Sequence, residues 1–225
     1  MVNYKVNTQF QKNLGFDISH NEILQAVNSV NSFLCTLPPN LYRSIDFKTT
    51  GAMIGAIFCT KIIEFVPGTM VNPIEKGHPD IVPVSALGSS EAVLRNYPRG
   101  MEIKGTIGNL RNGANLRAGV NRIEELTGIT WQAHHREVNH LLGIVWDFVN
   151  DVDNFNHPAI TGVFFSDQLN PDDWGEISGT TGRNTKVTGM RSSGKSKMGQ
   201  GVIILIDNEP HIEKYTRLLN IPSFD

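Results

Sequence analysis

Cysteine is nearly absent from the 225-residue chain: Cys35 and Cys59 lie in apolar surroundings with no CxxC spacing and no adjacent histidine pair. That excludes a disulfide scaffold and a thiolate zinc knot, and leaves two buried thiols in a reducing compartment as the expectation. An excess of either charge is also missing. Twenty Lys plus Arg stand against 22 Asp plus Glu, a net charge of −2, so any surface for a polyanion must be a local patch. No apolar run is long enough for a bilayer, since residues 51–66 are interrupted by Lys61 and Glu64. The opening residues, Met1-Val2-Asn3-Tyr4-Lys5, carry no apolar leader core. With no internal repeat and no linker, the expectation is one cytoplasmic domain over residues 1–225, without a membrane partner.

Apolar residues fill 40% of the chain, and their spacing sets out its elements. Ile23, Ala26, Val27, Val30, Phe33, Leu34 and Leu37 recur at three and four, predicting a helix over residues 19–37. Ser19 and Glu22 supply a capping box, and Pro38-Pro39 ends the helix. A second helix, apolar nearly all round and therefore interior, is predicted over 49–65, stopped by Pro67-Gly68. Strands follow at 80–84, with Pro83 favouring an edge, and at 101–104 after the Pro98-Arg99-Gly100 turn. A short helix is predicted around 120–126. The runs 141–149, 160–165 and 201–206 are almost wholly apolar, as strands covered on both faces are. The sum is an α/β (α+β) domain around a mixed sheet flanked by helices. Its parts are an N-terminal helical portion (1–48), a core (49–165) and a C-terminal loop and strand (166–225).

The chemistry-bearing pattern is Pro79-Asp80 followed by Glu102-Ile103-Lys104. Side chains alternate along a strand, so Glu102 and Lys104 share one face while Met101 and Ile103 take the other. If the strand carrying Asp80 pairs with this one, two carboxylates and an ammonium converge. Two hard oxygen ligands hold Mg²⁺ while leaving room for water and a phosphate oxygen, which suits phosphodiester hydrolysis. A solvent-facing salt bridge between Glu102 and Lys104 is the competing reading.

Beyond that strand, Asn109, Arg111, Asn112, Asn115, Arg117, Asn121 and Arg122 crowd a glycine-punctuated stretch. Arg and Asn are the side chains that read guanine and adenine edges, so double-stranded DNA is the expected partner; an ordinary polar loop stays open as the alternative. Arg183, Lys186, Arg191, Lys195 and Lys197 make residues 178–200 a second basic stretch, suited to ordering on DNA or simply solvated. His134 and His135 are candidates for DNA contact. Asp147, Asp151 and Asp153 read as a solvated acidic turn. Gly189 to Ser196 spells a phosphate-loop pattern, but no buried strand precedes it and no helix is expected after it, so no nucleotide cofactor is predicted.

Glu64 near the end of the second helix, then Gly77-His78-Pro79-Asp80 and Met101-Glu102-Ile103-Lys104, resemble the PD-(D/E)XK nuclease core of type II restriction endonucleases, most specifically over residues 49–104. Trp131-Gln132-Ala133-His134-His135, the strand after it and Asp173-Trp174-Gly175 resemble a block in some restriction enzymes of this size. The resemblance implies a restriction-endonuclease-like core with Asp80 and Glu102 as Mg²⁺ ligands and the Ile103 carbonyl as a third. It implies Lys104 as the group that positions the attacking water and Glu64 as an accessory acid. It also implies a homodimer that cuts palindromic duplexes to 5′-phosphate and 3′-hydroxyl ends. A junction-resolving or repair nuclease with the same core, and a non-catalytic DNA-binding protein, are the other readings.

Overall fold

The computed structural model describes residues 2–75, 77–113, 119–150, 156–179 and 186–222. Three short strands open the chain: β1 (Tyr4–Val6), β2 (Gln11–Asn13) and β3 (Asp17–Ser19). Helices α1 (His20–Thr36), α2 (Pro39–Ser44) and α3 (Phe47–Phe65) follow. Then come β4 (Thr69–Val71), β5 (Ile81–Pro83), the one-turn α4 (Glu91–Leu94), β6 (Glu102–Thr106) and β7 (Asn109–Leu110). The chain continues through β8 (Leu126–Gly128), β9 (Gln132–Ala133), β10 (Leu141–Asn150), β11 (Asn156–Ser166) and β12 (Thr188–Gly189). It closes with α5 (Ser192–Gln200), β13 (Val202–Ile206) and α6 (Glu209–Leu219).

The central sheet has the order β1-β13-β11-β10-β6; β6 and β10 are parallel and the other pairs antiparallel. The architecture is thus mixed α/β, a mixed sheet flanked by helices. On β10, Leu142, Ile144, Trp146 and Phe148 meet α1 and α3 through Val30, Ile54, Phe58 and Ile62. Leu141 and Val145 point the other way, into a second core built with Trp131, Trp174, Met198, Tyr215 and Leu219. Both faces are covered, which is why apolar side chains occupy both faces of the strand rather than every second position. Gly143 breaks the run for a reason of space: a Cβ there would lie 2.5 Å from the Trp131 ring.

The helix starts follow local chemistry. Ser19 caps α1 with the reciprocal Glu22 contact, the Ser19 N–H donating to Glu22 Oε2 at 2.8 Å. Helix α3 begins earlier than its apolar run suggests because Asp46 accepts from the Thr49 N–H at 2.6 Å. Pro38-Pro39 ends α1 as expected and also starts α2, proline being favoured in a first helical turn.

Several expectations are corrected. Residues 120–126 form a 3₁₀ turn (Ile123–Glu125) and the start of β8, not a helix. The N-terminal portion is not purely helical, and β1 pairs with the C-terminal β13, joining both ends of the chain in one sheet. Phe33 lies off the buried stripe of α1, and Cys35 is exposed while Cys59 is half-buried. Asp147 is no solvated turn. It sits inside β10 at 1% exposure, accepting from the Arg122 N–H at 2.8 Å and lying 3.2 Å from His211 Nε2; Asp151 and Asp153 lie outside the described residues. Among the described residues no helix is long and apolar enough to cross a membrane.

Candidate active site

The strand pairing on which the site depends takes the form of one bridge. Ile81 and Met101 exchange both backbone hydrogen bonds, at 3.1 and 2.9 Å, antiparallel, although β5 otherwise pairs with β4 in a separate two-stranded sheet. That bridge sets Asp80 beside Glu102 and Ile103. The loop before Asp80 is clamped from inside. Asn72 donates from its amide to the carbonyls of Pro79 (3.1 Å) and Leu94 (2.9 Å), and the Tyr97 N–H donates to the His78 carbonyl at 2.7 Å.

Gly100 makes the approach possible. Its φ of +133° is a conformation side chains resist, and a Cβ would lie 2.2 Å from the Ile81 carbonyl oxygen. Gly100→Ala is therefore expected to cost about 3 kcal/mol or more in urea unfolding, because both strain and the lost bridge count against it. Unchanged stability would show that the bridge does not depend on this glycine.

Along β6 the alternation runs as expected. Met101 and Ile103 enter the core with α3, and Glu102 and Lys104 occupy the opposite face. Lys104 Nζ lies 2.6 Å from Glu102 Oε1 and 3.5 Å from Asp80 Oδ2, and the Ile103 N–H donates to Asp80 Oδ2 at 2.7 Å. This is not a solvated surface pair, since the Glu102 side chain is 4% exposed and that of Lys104 23%. Burial works against the Glu102 charge, but the His78 hydrogen bond and the Lys104 ammonium outweigh it and hold its pKa at about 2. Asp80 moves the other way: burial and then the facing Glu102 charge raise its pKa above the ordinary carboxylate range, against the opposing pull of Lys104. Burial also disfavours the Lys104 charge, yet the two carboxylates keep it protonated above its usual range.

Two histidines complete the arrangement. His78 Nδ1 lies 3.2 and 3.3 Å from the two Glu102 oxygens, and the His135 ring packs edge-on against His78 at 4.6 Å between centroids. His135 Nδ1 is 3.3 Å from Glu137 Oε2, and its Nε2 is buried with no hydrogen-bond partner among the described residues. The bond to Glu102 raises the His78 pKa, whereas burial and then the His78 charge lower that of His135. The two adjacent rings are thus shifted in opposite directions, the one on Glu102 upward. The Cys59 thiol on α3 lies near enough to feel Asp80 and Glu102, burial being the main reason its pKa rises to about 12. Sequence reasoning passed over His78 and Cys59 as site residues; the position of His78 two residues before Asp80 was the available signal.

The other expected residues scatter. Glu64 is half-exposed and bound to Lys61 at 2.9 Å, one turn along α3, so it is a surface ion pair. Arg122 is 1% exposed, its guanidinium 4.6 Å from the Phe47 ring centre and 5.8 Å from that of Phe148. An interior arginine cannot meet a duplex, which corrects its assignment to DNA contact. Asn109, Arg111 and Asn112 are exposed on β7 and the turn after it, directly beyond β6. His134 is exposed with Nδ1 3.0 Å from the Lys186 carbonyl oxygen, and Lys186 and Arg191 are exposed too. Lys195 is half-buried. Lys197 is committed elsewhere, donating to buried Asp173 at 2.7 Å and to the Gln168 carbonyl at 2.9 Å. Asn115, Arg117 and Arg183 lie outside the described residues.

The supposed phosphate loop is different from its pattern: a helix does follow, but Gly194-Lys195-Ser196 lies inside α5, where the Lys195 N–H already donates to Arg191. A phosphate cradle needs such N–H groups open.

Asp80 and Glu102 offer the hard oxygen pair that Mg²⁺ takes together with water and substrate oxygens, and the repulsion between them is what a cation would relieve. The residues fit that ion. Among the described residues, no group of three or more His, Cys, Asp or Glu side chains is arranged to hold a metal. No protein-family model matches the chain, and comparisons with curated proteins and with solved structures find no match.

Proposed function

We propose that the chain is a magnesium-dependent endonuclease acting on double-stranded DNA, of the type II restriction kind, with a restriction-endonuclease-like core. The observation that carries this reading is the convergence of Asp80, Glu102 and Lys104 on one partly buried spot, Lys104 Nζ lying 2.6 and 3.5 Å from the two carboxylates. A mere salt bridge needs one acid and no burial. Here burial, and then the facing Glu102 charge, raise the pKa of the second acid, Asp80, a cost borne at functional sites more often than in structural pairs.

Magnesium, when bound, withdraws charge from the phosphate and lowers the pKa of a coordinated water. The chain's residues do the rest. Asp80 and Glu102 hold the ion, Asp80 being aimed by the Ile103 N–H and Glu102 by His78. The Lys104 ammonium orients the attacking water and stabilises the charge that gathers on phosphorus-bound oxygens. Hydrolysis with the 3′ oxygen leaving yields 5′-phosphate and 3′-hydroxyl ends. Asn109, Arg111 and Asn112 supply exposed groups for the duplex, and the proposed working unit is a cytoplasmic homodimer, as a palindromic site requires.

Incubation with supercoiled plasmid and Mg²⁺ tests the reading, with discrete fragments as the expected result. Cutting confined to branched DNA would assign a junction resolvase instead, and an intact plasmid panel in Mg²⁺ and Mn²⁺ would leave a DNA-binding protein at most.

A further inference from the structure

Beside the carboxylate pair lies a cleft of about 330 Å³ that borders Glu102 but not Asp80, Ile103 or Lys104. Its wall is made by the Pro98-Arg99-Gly100 turn, Asn96, Tyr97, Asn139 and His140, with His78 and His135 at the Glu102 end. Resting on the nuclease reading above, we propose that this cleft is a nucleotide subsite, taking the nucleotide that adjoins the phosphate under attack.

Position comes first. Glu102 is shared: its Oε1 meets both Lys104 Nζ at 2.6 Å and His78 Nδ1 at 3.2 Å, and the residue also lines the cleft together with His78. A chain whose scissile phosphate lies at the carboxylate pair must run past Glu102, and the cleft is the recess it meets there. Its volume is at the low end for small-ligand cavities, enough for one nucleotide and too large for a bare phosphate.

Chemistry comes next. Of the carboxylates at the cleft, Glu102 is already countered by Lys104 and His78, while exposed Glu137 lies 3.3 Å from the His135 imidazole, whose own charge burial and His78 disfavour. Arg99, Asn96 and Asn139, by contrast, have no side-chain hydrogen bond or ion pair among the described residues. A guanidinium binds a phosphate in fork geometry, and two amides suit sugar or base edges. Tyr97 and Pro98 line the cleft beside them. Arg99 is also held in place. Its backbone directly precedes Gly100 and Met101, and the Ile81–Met101 bridge fixes Met101, while its stem runs past Gly15, which has no side chain to displace it.

Thymidine 3′,5′-bisphosphate is the probe, titrated calorimetrically into the full chain in EDTA, alongside plasmid cleavage in Mg²⁺. The parent is expected to bind it without metal, since the cleft excludes Asp80 and Lys104. Arg99→Ala should weaken binding by about tenfold or more, with Arg99→Lys between, and should raise KM for plasmid far more than it lowers kcat. Arg99 is exposed, so the variant keeps the parent's melting temperature. A parent that cuts plasmid but ignores the bisphosphate, or binds it equally after Arg99→Ala, would overturn the subsite and leave the nuclease standing. Binding only with Mg²⁺, and lost in Asp80→Asn, would place the probe on the metal and equally overturn it. Binding in the cleft by a chain that cuts nothing would remove the nuclease reading and keep the pocket.

Discussion

Lys104→Ala is expected to cut DNA about a thousandfold more slowly than the parent in single-turnover reactions at saturating Mg²⁺, while binding the same duplex with unchanged affinity. The reason lies in what Lys104 touches. Its ammonium is 2.6 Å from Glu102 and 3.5 Å from Asp80, the place where the proposed mechanism brings the attacking water and a non-bridging phosphate oxygen together. Nine exposed cations among the described residues lie elsewhere and can hold a phosphate backbone; none of them is in that spot. Removing Lys104 also leaves two adjacent carboxylates without their counter-charge, so the variant melts lower than the parent in EDTA and gains more than the parent from added Mg²⁺. The two readouts separate chemistry from folding. A Lys104→Ala variant that cleaves as fast as the parent would end the proposed mechanism.

The site was legible in the sequence to the extent that its geometry is local. Alternation along β6 needs no tertiary information, and the turn at Pro98-Arg99-Gly100 announces where that strand begins. Only one inter-strand bridge, Ile81 to Met101, had to be supplied by the fold. The His78–His135 contact had no such help, because the two rings come from segments with no shared period. Arg122 and Asp147 failed for a related reason: composition marks a stretch as basic or acidic without telling which member turns inward. What draws Arg122 in is a pair of aromatic rings on α3 and β10, and what draws Asp147 in is His211 on α6.

The helix α5 escaped notice because glycine and serine are weak helix formers. Its glycines serve packing instead. A Cβ at Gly199 would lie 2.0 Å from the Leu219 carbonyl oxygen, and one at Gly194 within 3.0 Å of Asp173. Lys197 then ties the helix to Asp173, so tertiary contacts override propensity. The apolar strands were legible for the opposite reason, since β10 is buried on both faces and leaves Asp147 as the one buried charge within its apolar run.

Asp80→Asn should abolish cleavage and yet melt above the parent in EDTA at neutral pH, by about 2–6 °C for a chain of this size. Asp80 is raised in pKa by burial first and by Glu102 second, so its charged form opposes folding even with Lys104 nearby. The sign follows from proton counting. Between its unfolded and folded pKa values the native state binds more protons, so stability from this group is fully present below the unfolded value and is lost as pH rises through the folded one. Asparagine removes that loss and can still accept from the Ile103 N–H through its carbonyl oxygen. The advantage over the parent should therefore shrink as pH falls and vanish below the unfolded value of 3.8, where Asp80 is protonated in either state. Glu102 behaves oppositely in both proteins: with its folded pKa at about 2, the stability it contributes is present above its unfolded value and fades only in stronger acid. Added Mg²⁺ should then reverse the order at neutral pH, stabilising the parent and leaving Asp80→Asn where it was. A variant that melts lower than the parent in EDTA, or that gains equally from Mg²⁺, would show that Asp80 is an ordinary structural acid and not half of an ion site.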